Sequence, residues 1–172
     1  MAIMKGAVLF GFRPSTIYAR KCRYTYGIKV FAEFDEGKHP IDKLKIIDGE
    51  KKCDDVFAVL VREGDVIKIN EARCVSLTNS HREETSRFIR LQTSIYASSS
   101  YDPKFTTDEG CSLIGTITND PPPCCWSDHV QFRTYVYFGR TEIRVLDHDE
   151  THGRGYFQKF SLLAEESITE TN

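Results

Sequence analysis

The sequence predicts a mainly β protein, an all-β sandwich preceded by one short helix. Three observations lead to this fold class. Short apolar or alternating segments recur along the chain, and most are bounded by Gly, Pro, Asn, Asp or Ser. Helical periodicity is almost absent after residue 20. With 172 residues, of which 40% are hydrophobic and 28% charged, the chain can bury one core and has the composition of a folded domain.

The short helix is predicted at residues 2–12, where apolar residues surround a lone Lys5. No Ser, Thr, Asp or Asn stands where a helix cap is expected. The basic leader and small-residue cleavage pattern of a signal peptide are also missing. Nothing in the sequence approaches about 18 uninterrupted apolar residues, so we expect no membrane span. The segment therefore looks like the end of a helix whose beginning is missing.

Extended structure is predicted from residue 27 onward. A strand at 27–34 leads into a long polar loop at 35–55, with a turn signal at Asp48-Gly49. The continuous apolar run at 56–61 contains β-branched residues, which is typical of a strand buried on both faces. Residues 73–77 alternate between apolar and polar and predict the next strand.

A charged turn at 79–87 precedes a well-alternating strand at 88–96, in which we assign Ile89 to the apolar face. A shorter strand follows at 113–118. Residues 119–123 contain three consecutive prolines, which forbid a helix and predict an extended connection.

The clearest hairpin lies near the end of the chain. Apolar and polar residues alternate on both sides of a Gly139-Arg140 turn, and a second turn at 150–155 leads into the last strand. The predicted strands of this region are 130–138, 143–145 and 156–163. The remaining tail is polar and is predicted to fray.

Composition excludes several classes of function. The formal net charge is −2, so no basic surplus favours nucleic acid or anionic lipid. The six cysteines form no C-x-x-C motif, and adjacent Cys124 and Cys125 are poorly placed to chelate one tetrahedral metal. We therefore expect reduced thiols, no disulfide and a cytoplasmic location.

Short motifs give no catalytic or metal site. The H-x-x-x-H spacing at 148–152 resembles that of zinc peptidases, but that spacing requires a helix, and here it lies between two strands. Mixed charges at 42–55 predict a solvated loop rather than an anion site. G-x-S-x-G and both glycine-rich phosphate motifs are absent, so we expect no cofactor in this chain and no enzyme activity. The residues alone predict a β-sandwich that binds something.

A family resemblance starts in the opening segment. Residues 5–30, KGAVLFGFRPSTIYARKCRYTYGIKV, resemble the junction between the ATPase domain and the β-sandwich in the heat shock 70 kDa protein family, in particular its divergent 12A/12B-like branch. Arg23–Gly27 matches the Arg-Tyr-Thr-Tyr-Gly segment of that junction. The likeness continues at residues 30–40, 59–67, 113–115, 121–123 and 130–163.

The resemblance implies a domain organisation. Residues 1–23 would be the C-terminal remnant of a nucleotide-binding domain with its linker, 24–164 a substrate-binding β-sandwich and 165–172 a polar tail. The helix would lack a beginning because its start lies upstream, in an ATPase domain that this chain lacks. A fragment, a partial gene model and a natural truncation remain open. ATP and Mg²⁺ are implied only for an intact family member.

The resemblance also implies chaperone-like binding of extended apolar peptide segments or client proteins. Carried over by position, the peptide pocket would draw on Ile28, Phe31, Val75, Phe88 and Arg90. Arg90 departs from the family because peptide-binding relatives have an apolar residue there. The helical lid after Leu163 and the acidic-apolar linker of typical members are also missing.

Two other functions remain open. One is the ATPase activity of an intact parent, and the other is an adaptor sandwich that docks a folded partner without a peptide groove. An apolar groove flanked by the loops at 35–55 and 79–87 would favour peptide binding over the adaptor. The helix at 2–12 would bury apolar residues against the absent ATPase domain, so self-association through it is a further expectation.

Overall fold

The structure is a computed structural model and describes residues 19–139 and 141–162. The helix expected at 2–12 and the polar tail lie outside these residues. The strands are β1 (Ala19–Lys21), β2 (Thr25–Glu33), β3 (Leu44–Ile47), β4 (Glu50–Val61), β5 (Val66–Lys68), β6 (Ala72–Ser80), β7 (Leu91–Ser98), β8 (Cys111–Asn119), β9 (His129–Phe138), β10 (Glu142–Asp149) and β11 (Arg154–Ser161). Two short 3-10 helices span Ile41–Lys43 and Glu84–Phe88. No helix within the described part is long and apolar enough to cross a membrane.

The strands form three antiparallel sheets. A five-stranded sheet has the order β3-β4-β2-β7-β8, and a four-stranded sheet has the order β11-β10-β9-β6. The short strands β1 and β5 pair separately. The chain crosses from one large sheet to the other several times, so neither sheet can form without distant parts of the sequence. The predicted mainly β class is confirmed.

The core lies between the two large sheets. Ile28 and Ile95 of the five-stranded sheet and Val136 and Val145 of the four-stranded sheet belong to one cluster and are fully buried. This packing follows from period-two alternation, which places every second side chain on one face. Within 130–138 the predicted inward residues are buried, as expected: Val130, Phe132, Val136 and Phe138.

The polar loop predicted at 35–55 is largely wrong, because β3 and the start of β4 form a hairpin there. Its two-residue turn at Asp48 and Gly49 was predicted correctly, with φ of 50° and 79°, as a turn with two left-handed residues requires. The charged residues of β3, which is the edge strand, and of its neighbour β4 concealed the hairpin. At the edge of a sheet such residues can remain exposed while the backbone pairs.

The charge cluster in this region is also less solvated than predicted. The register between β2 and β4 shifts so that Asp54 and Asp55 oppose only Phe31, which is a β-bulge. Asp54 is 4% exposed, and its carboxylate pairs with Lys29 and Lys45. The bulge thus buries a carboxylate that two ammonium groups neutralise.

Strand β7 begins later than predicted, and this changes the environment of Ile89. Ile89 is 52% exposed because it precedes the first residue of β7. The inward positions are instead Thr93, Ile95 and Ala97, all of which are buried. The assignment of Ile89 to the apolar face was therefore wrong, whereas the alternation within the strand was correct.

Candidate functional site: an apolar cleft beside strand β6

A cleft of about 710 Å³ opens between the two large sheets. The second half of β6 forms one wall, and the facing wall comes from β2 and β7. Its apolar lining includes Val30, Phe31, Val75, Leu77, Leu91 and Phe132. The volume falls within the range that small ligands and short peptide segments occupy.

Strand β6 contributes an unpaired edge to this cleft. It is the last strand of its sheet and pairs with β9 alone among the described strands. The amide of His81 donates to the carbonyl of Asp128 at 2.8 Å, which extends the β6–β9 ladder in the same register. In an antiparallel pair such hydrogen-bonded positions recur every second residue. Even-numbered residues, including Ser76 and Thr78, therefore direct their backbone N–H and C=O groups to the unpaired edge.

The side chains of β6 alternate in the same way. Val75 and Leu77 are half-buried and pack against the core cluster, whereas Ser76 and Thr78 are exposed. Natural edge strands usually carry Lys, Pro or a bulge that prevents another strand from pairing. The nine residues of β6 contain no Lys or Pro, and their pairing with β9 has no bulge. Arg73 is the one charged residue of β6, and within residues 19–139 and 141–162 no strand pairs with this edge.

A buried polar group lies at one end of the cleft. Asn119, which lines the cleft, donates from its side-chain amide to the Asp147 carboxylate at 2.9 Å. Both residues are almost fully buried. The Asn119 Oδ1 atom accepts no hydrogen bond from the described residues.

The two cations that line the cleft are neutralised by neighbouring carboxylates. The Lys29 ammonium lies 2.5 Å from an Asp55 oxygen and 2.9 Å from an Asp54 oxygen. Burial alone would lower the pKa of Lys29, but these two hydrogen bonds outweigh burial and the pKa is raised. Arg90 pairs with Asp120 at 2.7 Å, and its side chain is 71% exposed. The ion pair with Asp120 holds the Arg90 side chain at the rim of the cleft, so its charge lies outside the apolar interior.

An ion pair joins the loops near the end of β6. The Arg82 guanidinium contacts a Glu50 carboxylate oxygen at 2.6 Å, and the Arg82 amide donates to Asp48 at 3.3 Å. Arg82 follows β6, while Asp48 and Glu50 belong to the β3–β4 hairpin. The loops predicted to flank a groove, at 35–55 and 79–87, therefore meet here.

The structure places the five predicted pocket residues in three settings. Phe31, Val75 and Arg90 all line the cleft. Ile28 is fully buried in the core, where its strand pairs with β4 and β7. Phe88 ends the 3-10 helix before β7 and is 59% exposed outside the cleft lining.

Other lining residues were not predicted. Leu77 could have been found, because it shares the alternation of β6 with Val75. Leu91, Phe132 and Asn119 join the cleft only through the pairing of β7 with β8 and of β6 with β9. A single sequence carries no local signal for such long-range register.

The H-x-x-x-H motif lies at the β10–β11 hairpin, as predicted. His148 is in β10 opposite Gly155, and His152 lies in the turn. Within residues 19–139 and 141–162, no group of three or more His, Cys, Asp or Glu side chains could hold a metal ion.

Two facing antiparallel sheets, with an apolar cleft beside a strand edge that no described strand pairs, define a β-sandwich by architecture. The chain is 30% identical over 172 residues to heat shock 70 kDa protein 12B of Homo sapiens, covering 95% of this chain and 24% of that protein. It is 32% identical over 154 residues to heat shock 70 kDa protein 12A of Mus musculus, covering 88% and 22%. No family model matches the chain.

The chain therefore spans about a quarter or less of the length of these curated relatives. The matched segment is similar to one part of the heat shock 70 kDa proteins of the 12A/12B-like branch. The family resemblance predicted from the sequence is confirmed.

Proposed function

We propose that the β-sandwich, predicted at residues 24–164, binds extended apolar peptide segments in a chaperone-like role. The observation that carries this proposal is the apolar cleft bordering the unpaired edge of β6. The relationship to heat shock 70 kDa proteins 12A and 12B supports it at the level of the family. The adaptor alternative has no comparable observation in its favour.

In the proposed complex, the peptide adds a strand beside β6. Main-chain hydrogen bonds to the outward groups of Ser76 and Thr78 supply affinity without regard to sequence. Every second peptide side chain then enters the cleft and contacts Phe31, Val75 and Leu77. Phe31 is 50% exposed, so covering it removes apolar surface from water. Because Asp120 neutralises Arg90 at the rim, this arginine adds little charge selectivity.

The binding test uses fluorescence anisotropy with a labelled seven-residue peptide of alternating Leu and Ser. The control peptide has the same apolar content but contains two prolines, which remove N–H donors and disfavour strand addition. Saturable binding of the first peptide and none of the second is expected. Equal binding of both peptides, or binding of neither, would contradict the proposal. Phe31→Ser should weaken binding by about tenfold if the ring contributes roughly 1.4 kcal/mol.

We propose further that this chain has no nucleotide site of its own and that any ATPase activity needs the longer relatives' additional sequence. The absence of both glycine-rich phosphate motifs supports this. Calorimetric titration of the chain with Mg-ATP should show no binding heat. Micromolar binding would contradict this part of the proposal.

We also propose a reducing, cytoplasmic setting. Cys22, Cys53, Cys74, Cys111, Cys124 and Cys125 are all free thiols in the structure. Burial raises the pKa of Cys22 and of Cys53, so these two thiols are poor nucleophiles. Intact-mass measurement of the native, unreduced chain should show six thiols, and a mass lower by one or more hydrogen pairs would count against this setting.

A further inference from the structure

Three polar side chains form a linear hydrogen-bonded chain beside the β10–β11 turn. The Ser127 hydroxyl oxygen lies 3.0 Å from Nε2 of His152, and Nδ1 of His152 lies 2.8 Å from Oδ2 of Asp149. A carboxylate only accepts, so Nδ1 carries the proton and Nε2 accepts from Ser127. We propose that Ser127, His152 and Asp149 are a hydrolytic triad that cleaves small carboxylic esters.

The geometry matches the roles that such a triad requires. Asp149 is fully buried and orients the imidazole, and His152 is half-buried, whereas Ser127 is exposed to incoming substrate. Triads are recognised by this arrangement rather than by sequence position, since unrelated folds use different chain orders. A search for the G-x-S-x-G motif therefore could not find this triad in the sequence.

A buried tryptophan holds the serine and the histidine in place. Trp126 is fully buried, its indole N–H donates to the Ile89 carbonyl at 2.8 Å, and its backbone amide donates to the Arg87 carbonyl at 2.9 Å. The His152 ring packs against the indole with centroids 5.8 Å apart. Ser127 directly follows Trp126, so both members of the pair are fixed against one rigid side chain.

The backbone beside the serine is unusual. Cys125 has φ of 106°, a left-handed value that is costly for a residue with a side chain. Such strain persists only where surrounding contacts enforce it and is frequent at active sites. The amide of Ser127 donates to no backbone carbonyl among the described residues. An N–H group at the nucleophile itself is a donor that an oxyanion can use.

The serine opens onto a surface pocket of about 610 Å³. Besides Ser127 and His152, its lining consists of Cys124, Cys125, Trp126, His129 and the ion-paired Arg87 and Asp128. The charges of Arg87 and Asp128 therefore offset each other. A small uncharged ester fits this lining better than an anionic or a cationic substrate.

The hairpin turn does not need Ser127 for its own stability. Oδ1 of Asp149 already accepts the amides of Thr151 and His152 at 3.0 Å each, and the Asp149 carbonyl accepts the amide of Gly153 at 2.9 Å. These three bonds close the turn. The hydrogen bond between Ser127 and His152 is therefore not needed to close the turn, so the pair is available for a reaction.

The proposed reaction is a two-step hydrolysis. Ser127 Oγ attacks the ester carbonyl carbon while its proton passes to Nε2 of His152; the carbon–alkoxide bond then breaks, and His152 returns the proton to the leaving alcohol. Solvent water attacks the acyl-serine, gives one proton to His152 and forms the new carbon–oxygen bond. The bond between the acyl carbon and Ser127 Oγ then breaks as His152 returns that proton to Oγ, so the net reaction converts ester and water into acid and alcohol.

The test uses the 172-residue chain with a fluorophosphonate probe and with p-nitrophenyl acetate. Mass spectrometry of the labelled chain should place the probe on Ser127. Ser127→Ala should abolish labelling and lower p-nitrophenyl acetate hydrolysis by about 10²-fold, within the usual range for such catalysis. Because Ser127 is exposed, this variant should fold, and circular dichroism checks that it does. His152→Gln should lower both readouts.

The matched control is a second serine–histidine contact. Ser80 Oγ lies 3.2 Å from Nδ1 of His129, and no carboxylate contacts that imidazole among the described residues. Ser80→Ala should leave labelling and hydrolysis unchanged. Labelling at another site, equal losses in Ser80→Ala and Ser127→Ala, or full hydrolysis by Ser127→Ala would each overturn the proposal. If His152→Gln fails to fold, the labelling site and the Ser127→Ala and Ser80→Ala variants still test the proposed triad.

Discussion

The ring of Phe160 in β11 lies directly over Gly115 in β8. A β-carbon built at Gly115 would lie 2.2 Å from two atoms of that ring, closer than real contacts allow. This contact joins the last strands of the two large sheets and closes the sandwich on one side. The opposite side, where β6 ends its sheet, remains open as the cleft.

Gly115→Ala should therefore destabilise the fold by about 1–3 kcal/mol, the usual effect of overpacking. The measurement is urea unfolding followed by circular dichroism. Gly155→Ala is the matched control, since its β-carbon would meet only Leu146 at an ordinary 3.8 Å. Combining Gly115→Ala with Phe160→Leu should recover part of the loss. Equal stability of the two alanine variants would contradict the proposed contact.

The carboxylates of Asp54 and Asp55 at the β-bulge predict that the folded state loses stability in acid. Burial raises the pKa of Asp54, but hydrogen bonds from Lys45 and Lys29 outweigh it, so the pKa is lowered; Asp55 behaves similarly through Lys29 and Lys43. A lowered folded-state pKa gives stability that is present above the unfolded value of about 3.9 and lost as pH falls through the folded value. The free energy of unfolding should therefore decline below about pH 5.

Asp54→Asn separates this cause from general acid effects. The variant removes one of the shifted groups, so its stability should fall less steeply between pH 5 and pH 3 than that of the natural chain. Denaturant unfolding at each pH supplies the measurement. Identical slopes for both proteins would show that Asp54 does not contribute to the acid dependence.

The Arg82–Glu50 pair predicts a kinetic effect on peptide binding. Both side chains are about half exposed, so the pair should contribute no more than about 1 kcal/mol to folding. If the joined loops hold a bound peptide, Arg82→Ala should speed its dissociation while leaving thermal unfolding nearly unchanged. Glu50→Gln should have the same effect, and the double variant should add little. An unchanged dissociation rate in Arg82→Ala would show that the loops do not retain the peptide.

Local patterns predicted the parts of this fold that depend on period-two alternation. The terminal hairpin was predicted well because Val130, Phe132 and Val136 face a buried layer while their neighbours face solvent. Strand β3 was missed because Leu44 and Ile47 are separated by exposed residues and lie on a sheet edge. An edge strand and a loop both expose charged side chains to solvent, so composition could not distinguish a strand from a loop here.

The cleft was harder to predict than the strands. Phe31 and Val75 were placed in it through family resemblance, whereas Ile28 belongs to the core. The difference depends on where β2 leaves the interior, which the β-bulge opposite Phe31 determines. Asn119 and Phe132 reach the cleft through pairings that link distant parts of the chain. Ser127, His152 and Asp149 likewise meet only after β9, β10 and the proline-rich connection have folded.

Strand addition at β6 is the central claim, and one substitution tests it most directly. Thr78→Pro removes an outward N–H from the unpaired edge without removing a hydrogen bond to β9, a position that tolerates proline. Thr78→Ala is the control, because it shortens the same side chain but keeps the N–H group. In anisotropy titrations with the alternating Leu-Ser peptide, Thr78→Pro should lose at least about tenfold in affinity, the equivalent of roughly 1.4 kcal/mol, and Thr78→Ala should bind normally. Unchanged peptide affinity in a folded Thr78→Pro variant would contradict binding at this edge.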